Sequence, residues 1–193
     1  MKELFRKIFK KIKDEFFTIP NMLSILRLLL IPVIVYLYCV KRNNLWTLIV
    51  VVFSTLTDIV DGFIARRFNM ITDFGKFLDP VADKATQLTV FACLITRYKL
   101  MLVPFLVLLV KELGSLIFRL VVYKKTEVVE GAHWHGKMST GIVILVMVLH
   151  LGWATMPATV SNAIILFSTI FMVYSGLLYT LEGIDILKNG KRY

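Results

Sequence analysis

The sequence predicts an all-α integral membrane protein, with six transmembrane helices preceded by an N-terminal amphipathic juxtamembrane helix. Three observations carry this. Hydrophobic residues make up 58% of the 193-residue chain, and the mean hydropathy is +0.75, both above what a water-soluble domain of this length usually holds. Six apolar segments each approach the ~20 residues that a helix needs to cross a bilayer. A lysine-rich, periodically apolar stretch precedes the first of them.

That opening stretch, 1–18, places Leu4, Phe5, Ile8, Phe9, Ile12 and Phe16 at three- and four-residue steps, with lysines on the opposite face. Such a helix lies in the headgroup layer, and Pro20 punctuates the way into the first span. Spans are expected over 22–40, 45–65, 78–96, 99–121, 138–156 and 160–182. The second and third are the least apolar, because they carry four aspartates. A long apolar run behind the basic start, without a small-residue cleavage site, argues against a cleavable signal peptide. With no internal repeat or linker, the chain reads as a single membrane domain over 1–193, its bundle occupying 22–182.

Orientation follows from the basic residues. With the N-terminus inside, sixteen Lys and Arg fall on the cytoplasmic side and four (Lys41, Arg42, Arg97, Lys99) on the other. Both termini and all four aspartates are therefore expected at the cytoplasmic face of the cell membrane. The net charge of +10 sits at the ends of apolar runs and makes no fold-wide basic face. An anionic membrane surface or a phosphorylated substrate explains it, and nucleic acid is not expected as a partner.

The candidate site is Asp58-Ile-Val-Asp61-Gly62-Phe-Ile-Ala65-Arg66 followed by Gly75-Lys-Phe-Leu-Asp79-Pro-Val-Ala-Asp83. Asp58 and Asp61 are three apart and Asp79 and Asp83 four apart, so each pair shares one helix face. Carboxylates beside long apolar runs are costly and mark function. Paired hard oxygen ligands from two helices suit Mg²⁺, Mn²⁺ or Ca²⁺ better than a soft metal. Gly62, Ala65 and Gly75 leave room beside them for a flat or bulky group.

This pattern resembles the signature of the CDP-alcohol phosphatidyltransferases, with Asp58, Asp61, Gly62, Ala65, Arg66, Gly75, Asp79 and Asp83 filling every position. The six-span layout is similar too. The resemblance implies two divalent cations per site, Mg²⁺ or Mn²⁺, held among Asp58, Asp61, Asp79 and Asp83. It implies a CDP-binding set of Asp58, Asp61, Gly62, Ala65, Arg66 and Gly75, and makes Asp83 the catalytic base that takes the acceptor's proton. A homodimer in the membrane is also implied.

Within the family, three stretches resemble bacterial phosphatidylglycerophosphate synthases, which join CDP-diacylglycerol to glycerol 3-phosphate. They are Thr18–Arg27, Asn69–Lys76 and the closing Tyr174-Ser-Gly-Leu. Lys111, Arg119 and Lys137 stand where such an enzyme would bind the acceptor phosphate. Lys111 replaces a usual arginine, and Ser139 replaces a frequent basic residue. A cardiolipin synthase of the same fold, taking phosphatidylglycerol, is the nearest alternative. A small divalent-cation transporter is the rival from another class, but its site would lie at mid-membrane on broken helices within repeats.

The remaining polar residues read more simply. Cys39 and Cys93 are expected as buried small residues. His133, Trp134 and His135 are expected in an interfacial loop with an aromatic anchor. His150 reads as a boundary residue, and Glu182 and Asp185 as a solvated helix end.

Overall fold

The computed structural model describes residues 18–68, 70, 72–126 and 134–189. The expected interfacial helix over 1–17 and the loop position His133 lie outside the described residues. Among those residues the fold is all-α, with six helices: α1 (Ile19–Val35), α2 (Asn44–Arg67), α3 (Asp73–Ile95), α4 (Leu102–Thr126), α5 (Trp134–Gly152) and α6 (Ala158–Asn189). Three stretches, Ile19–Val40, Asn44–Arg67 and Ala158–Glu182, are long and apolar enough to cross a membrane, and Gly136–Gly152 is a shorter apolar helix. The chain divides into two compact units between Cys93 and Leu94.

In the first unit, α1 opens with Pro20 in its first turn, where no backbone N–H is needed. Pro32 lies inside the helix, and one turn later the chain widens into a π turn over Tyr36–Val40. The side of α1 that is buried is the polar one: Asn21, Ser24 and Arg27. Leu29, Val33 and Val40 face outward. α2 repeats the arrangement, with Thr47, Val51, Ser54, Thr57 and Asp61 inside and Phe53, Leu56, Ile59 and Phe63 outside. This inversion is what a lipid solvent dictates, since apolar groups gain nothing by leaving it and polar ones must find partners within the protein.

Local chemistry fixes the helix ends. The Asn43 side chain caps α2 by accepting the Trp46 N–H at 3.1 Å. Thr72 Oγ1 accepts the Gly75 N–H at 2.9 Å, so α3 starts at Asp73, five residues before the expected span. At 24 residues, α2 is about 36 Å long, enough for the hydrocarbon layer.

In the second unit, a 3₁₀ turn over Lys99–Met101 leads into α4, and α6 packs against both α4 and α5. The buried seam of α6 runs Ser161, Ile165, Ser168, Met172, Ser175. Its steps of four and three are those of a coiled-coil interface, with serine at every seventh position. Small residues let helices approach closely in lipid, where packing drives association. Ser168 and Thr169 donate to the Ile165 carbonyl at 2.8 and 2.7 Å and so make no demand on a neighbouring helix.

Two expectations are corrected. His150 is fully buried: its Nδ1 lies 2.8 Å from the Val146 carbonyl, its Nε2 3.0 Å from Ser161 Oγ, and Tyr98 meets the ring edge-on at 4.9 Å. A carbonyl only accepts, so Nδ1 donates and Nε2 takes the serine proton, clipping α5 to α6. Cys39 is exposed while Cys93 is buried. Glu182 is half-buried.

Enlarging the seam should cost stability. Ser168→Leu is expected to lower the stability of the detergent-solubilised protein by about 1–3 kcal/mol through overpacking. Ile170→Leu, on the outward face, should leave it unchanged. Thermal unfolding of the two variants side by side checks this.

Candidate functional site

The first unit gathers its polar side chains around Arg27, which is 1% exposed. Its Nη1 donates to Asp58 Oδ1 and its Nη2 to Asp61 Oδ2. Ser24, one turn earlier on α1, accepts from the same Nη2 at 3.1 Å. Ser24 Oγ also lies 2.5 Å from Asp79 Oδ1 and 3.3 Å from Asp61 Oδ2. A hydroxyl has one proton, and the shorter contact gives it to Asp79. One turn of α1 thus ties together both aspartates of α2 and Asp79 of α3.

Asp83 is held differently, by its own helix. Gln87 Nε2 donates to its Oδ1 at 2.9 Å, and Lys84 Nζ stands 3.7 Å from its Oδ2. It follows Asp79 by one turn of the same helix.

The glycines of the signature have distinct surroundings. A Cβ on Gly62 would meet only the Arg66 guanidinium, 3.8 Å away, so Arg66 folds back over Gly62. A Cβ on Gly75 would overlap Asn21 Oδ1 and lie 2.9 Å from Thr72 Oγ1. Asn21 Nδ2 donates to Thr72 Oγ1 at 3.0 Å. Gly75 therefore sits where Asn21 of α1 meets the capped start of α3, and a side chain there would force the Asn21 amide to shift. Ala65 is half-buried and Arg66 exposed in the last turns of α2.

The donor chemistry fits a hard divalent cation. Asp58, Asp61, Asp79 and Ser24 offer only oxygen, and three formal negative charges face one guanidinium. The Asp58 side chain is 40% exposed, which leaves it open on one side. Among the described residues, no three His, Cys, Asp or Glu side chains converge closely enough to share one ion. The link between the carboxylates is made by Arg27 and Ser24. Arg27 Nε is buried with no hydrogen-bond partner among the described residues, a leftover donor suited to an anionic oxygen.

The second unit holds the candidate acceptor residues. Lys111 on α4 donates from Nζ to the buried Ser139 Oγ on α5 at 3.0 Å, and its stem passes Gly176 of α6. Lys137 is exposed on the first turns of α5. Arg119 lies on α4, with its side chain outside the described residues. Trp134 is exposed at the start of α5, and the His135 side chain is not among those described.

Sequence reasoning assigns no role in the site to Asn21, Ser24, Arg27, Thr72 or Ser139. One signal for them does exist, since a lone arginine inside an apolar run is itself a sign of function.

An all-helical, multi-pass membrane protein built around clustered aspartates and the buried Arg27 is the class that fold and site define. The chain belongs to the CDP-alcohol phosphatidyltransferase family, whose defining pattern matches residues 17–175. It is an enzyme of phospholipid biosynthesis. It is 32% identical over 177 residues to the CDP-diacylglycerol–glycerol-3-phosphate 3-phosphatidyltransferase of Aquifex aeolicus, covering 88% of this chain and 97% of that one. The enzyme of the same name from Rickettsia typhi is 36% identical over 96 residues, 49% of this chain and 54% of that one. A Mycobacterium bovis protein provisionally named a cardiolipin synthase is 41% identical over 78 residues, 40% of this chain and 37% of that one.

Removing the buried cation should be severe. Arg27→Met is expected to lower stability by about 3–5 kcal/mol, because it leaves Asp61 buried without its partner. Adding Asp61→Asn to that variant should recover part of the loss. Thermal unfolding of the single and double variants measures the coupling, and strict additivity would refute it.

Proposed function

We propose that the enzyme transfers the phosphatidyl group of CDP-diacylglycerol to sn-glycerol 3-phosphate, giving phosphatidylglycerophosphate and CMP. The observation that carries this is similarity along 97% of a relative of that name. The local resemblance to a provisionally named cardiolipin synthase supports phosphatidylglycerol as the second reading of the acceptor.

Asp58, Asp61 and Asp79 are the residues that would hold divalent cations, Mg²⁺ or Mn²⁺, two per site, with Asp83 beside them. Such cations supply neutralisation of the pyrophosphate and of the charge that builds on the departing CMP. Arg27 and Ser24 keep the carboxylates in register from behind. Gly62, Ala65 and Arg66 shape the place for the cytidine nucleotide, and Gly75 lets α1 and α3 close against each other.

The acceptor hydroxyl attacks the phosphorus attached to diacylglycerol, the bond to CMP breaks, and the hydroxyl proton passes to Asp83. Gln87 orients Asp83 from one turn away. That contact uses one lone pair of Oδ1 and leaves others for the incoming proton. Lys111, Arg119 and Lys137 are assigned to the acceptor phosphate, where an ammonium acts as a point charge. The excess of basic residues on one side supports both termini and the site facing the cytoplasm.

Purified enzyme given labelled CDP-diacylglycerol should release CMP with glycerol 3-phosphate. Release only with phosphatidylglycerol would move the assignment to a cardiolipin synthase. Asp83→Asn is expected to cut turnover by roughly 10²–10⁴-fold with CDP-lipid binding retained, and a parallel loss of binding would make Asp83 chiefly a ligand. Lys111→Ala should raise the KM for glycerol 3-phosphate roughly tenfold or more, as expected for a lost charge-assisted contact, with the KM for CDP-diacylglycerol unchanged. Equal effects on both substrates would remove Lys111 from the acceptor pocket.

A further inference from the structure

The two cysteines take no part in the site, yet the fold brings them together. Cys39 lies in the π turn that closes the first membrane-length stretch, and Cys93 lies two residues before the end of α3. Their sulfurs are 3.9 Å apart, the Cys39 thiol donating a weak S–H hydrogen bond to the Cys93 sulfur. Cys39 is exposed and Cys93 buried, so one thiol meets reagents and the other waits behind it. The sequence puts Lys41 and Arg42 just after Cys39, and Arg97 and Lys99 just after Cys93. Cations of this kind mark a membrane boundary, so the thiols lie close to water.

We propose that Cys39 and Cys93 form a disulfide that clamps α1 to α3. The clamp lies at the end of the first unit away from the carboxylates. Twelve residues separate Arg27 from Cys39, about 18 Å of helix. A disulfide bond of ~2.0 Å requires the sulfurs to close by about 1.9 Å, within reach of side-chain rotation for thiols already in contact. The π turn, which takes in an extra residue, sets the bearing of Cys39 toward α3.

The oxidant is a donor disulfide, either a small molecule or a protein. The Cys39 thiolate attacks it, forming a mixed disulfide and releasing one donor thiol. Cys93 then loses its proton and attacks the Cys39 sulfur, and the second donor thiol leaves. Two thiols and one donor disulfide thus give one protein disulfide and two donor thiols, with two electrons passing to the donor. Under the proposed orientation this end faces outward, where disulfides persist. The side of the membrane rests on that reading; the pairing of the thiols does not.

The test uses the full chain in detergent with oxidised glutathione, followed by denaturation and maleimide tagging. Reduced protein should take two tags and oxidised protein none. Intact mass should fall by two hydrogens, and dithiothreitol should restore both tags. Cys39→Ser and Cys93→Ser serve as the one-tag controls. Two tags surviving oxidation, two added glutathiones, or a link found only between chains would overturn the pairing. The oxidised protein should unfold roughly 5 °C above its reduced form, with no such rise in Cys39→Ser. An unchanged midpoint would overturn the clamp. No substrate enters these measurements, so their failure and a wrong acceptor assignment are told apart.

Discussion

Arg27 is buried among helices that face lipid, and the geometry of the first unit follows from what that burial demands. An isolated guanidinium in so poor a solvent is prohibitively costly, and the charge is tolerable only with partners in fixed positions. Asp58 and Asp61 supply them from one face of α2, while Ser24 takes a further N–H from the same face of α1. Three-residue spacing on both helices is the condition for this match. Sliding either helix by one residue would turn the pair through about 100° and leave charge against hydrocarbon. The ion pairs therefore set the register of α1 against α2 more strictly than apolar contacts could.

The rest of the packing is consistent with that solvent. Hydroxyls along the helices bond to carbonyls of their own helix: Thr47 to Asn43, Thr57 to Ser54, Thr86 to Ala82 and Thr89 to Ala85. Each is satisfied before any neighbour arrives, and each is small. Helices can then close on one another around groups that are already satisfied. Ser168 and Thr169 of α6 work in this way in the second unit. Other polar groups take partners from another helix: Ser24, Arg27 and the aspartates in the first unit, and His150 with Ser161 and Lys111 with Ser139 in the second.

The sequence shows the helices and the signature well, because apolar length and fixed carboxylate spacing are both local properties. It shows the inner face poorly. In a soluble helix apolar residues mark the core, but here Leu29 and Phe53 look outward just as Ile34 and Val51 look inward. Hydropathy gives no bearing, and it places a helix start too late where a cap such as Thr72 lies in the polar flank. The role of Arg27 is hidden for a related reason. Which acid a basic residue meets on another helix is not written in the spacing of either one. His150 shows the same limit, since its partner Ser161 lies across a turn that composition describes only as a boundary.

The two units offer different charged groups, in a way that bears on the proposed reaction. The first unit carries Asp58, Asp61, Asp79 and Asp83, which outnumber the buried Arg27. The second carries Lys111 and Lys137. A CDP-linked lipid and a phosphorylated acceptor are both anions, yet they call for different receptors. The pyrophosphate must be held while one of its bonds breaks, which suits carboxylates that would hold divalent cations to neutralise the departing charge. The acceptor phosphate is unchanged throughout and needs only to be held still, which a lysine provides without a metal. In Lys111, the ammonium donates to the Ser139 hydroxyl at 3.0 Å, a contact that an incoming phosphate oxygen can outcompete.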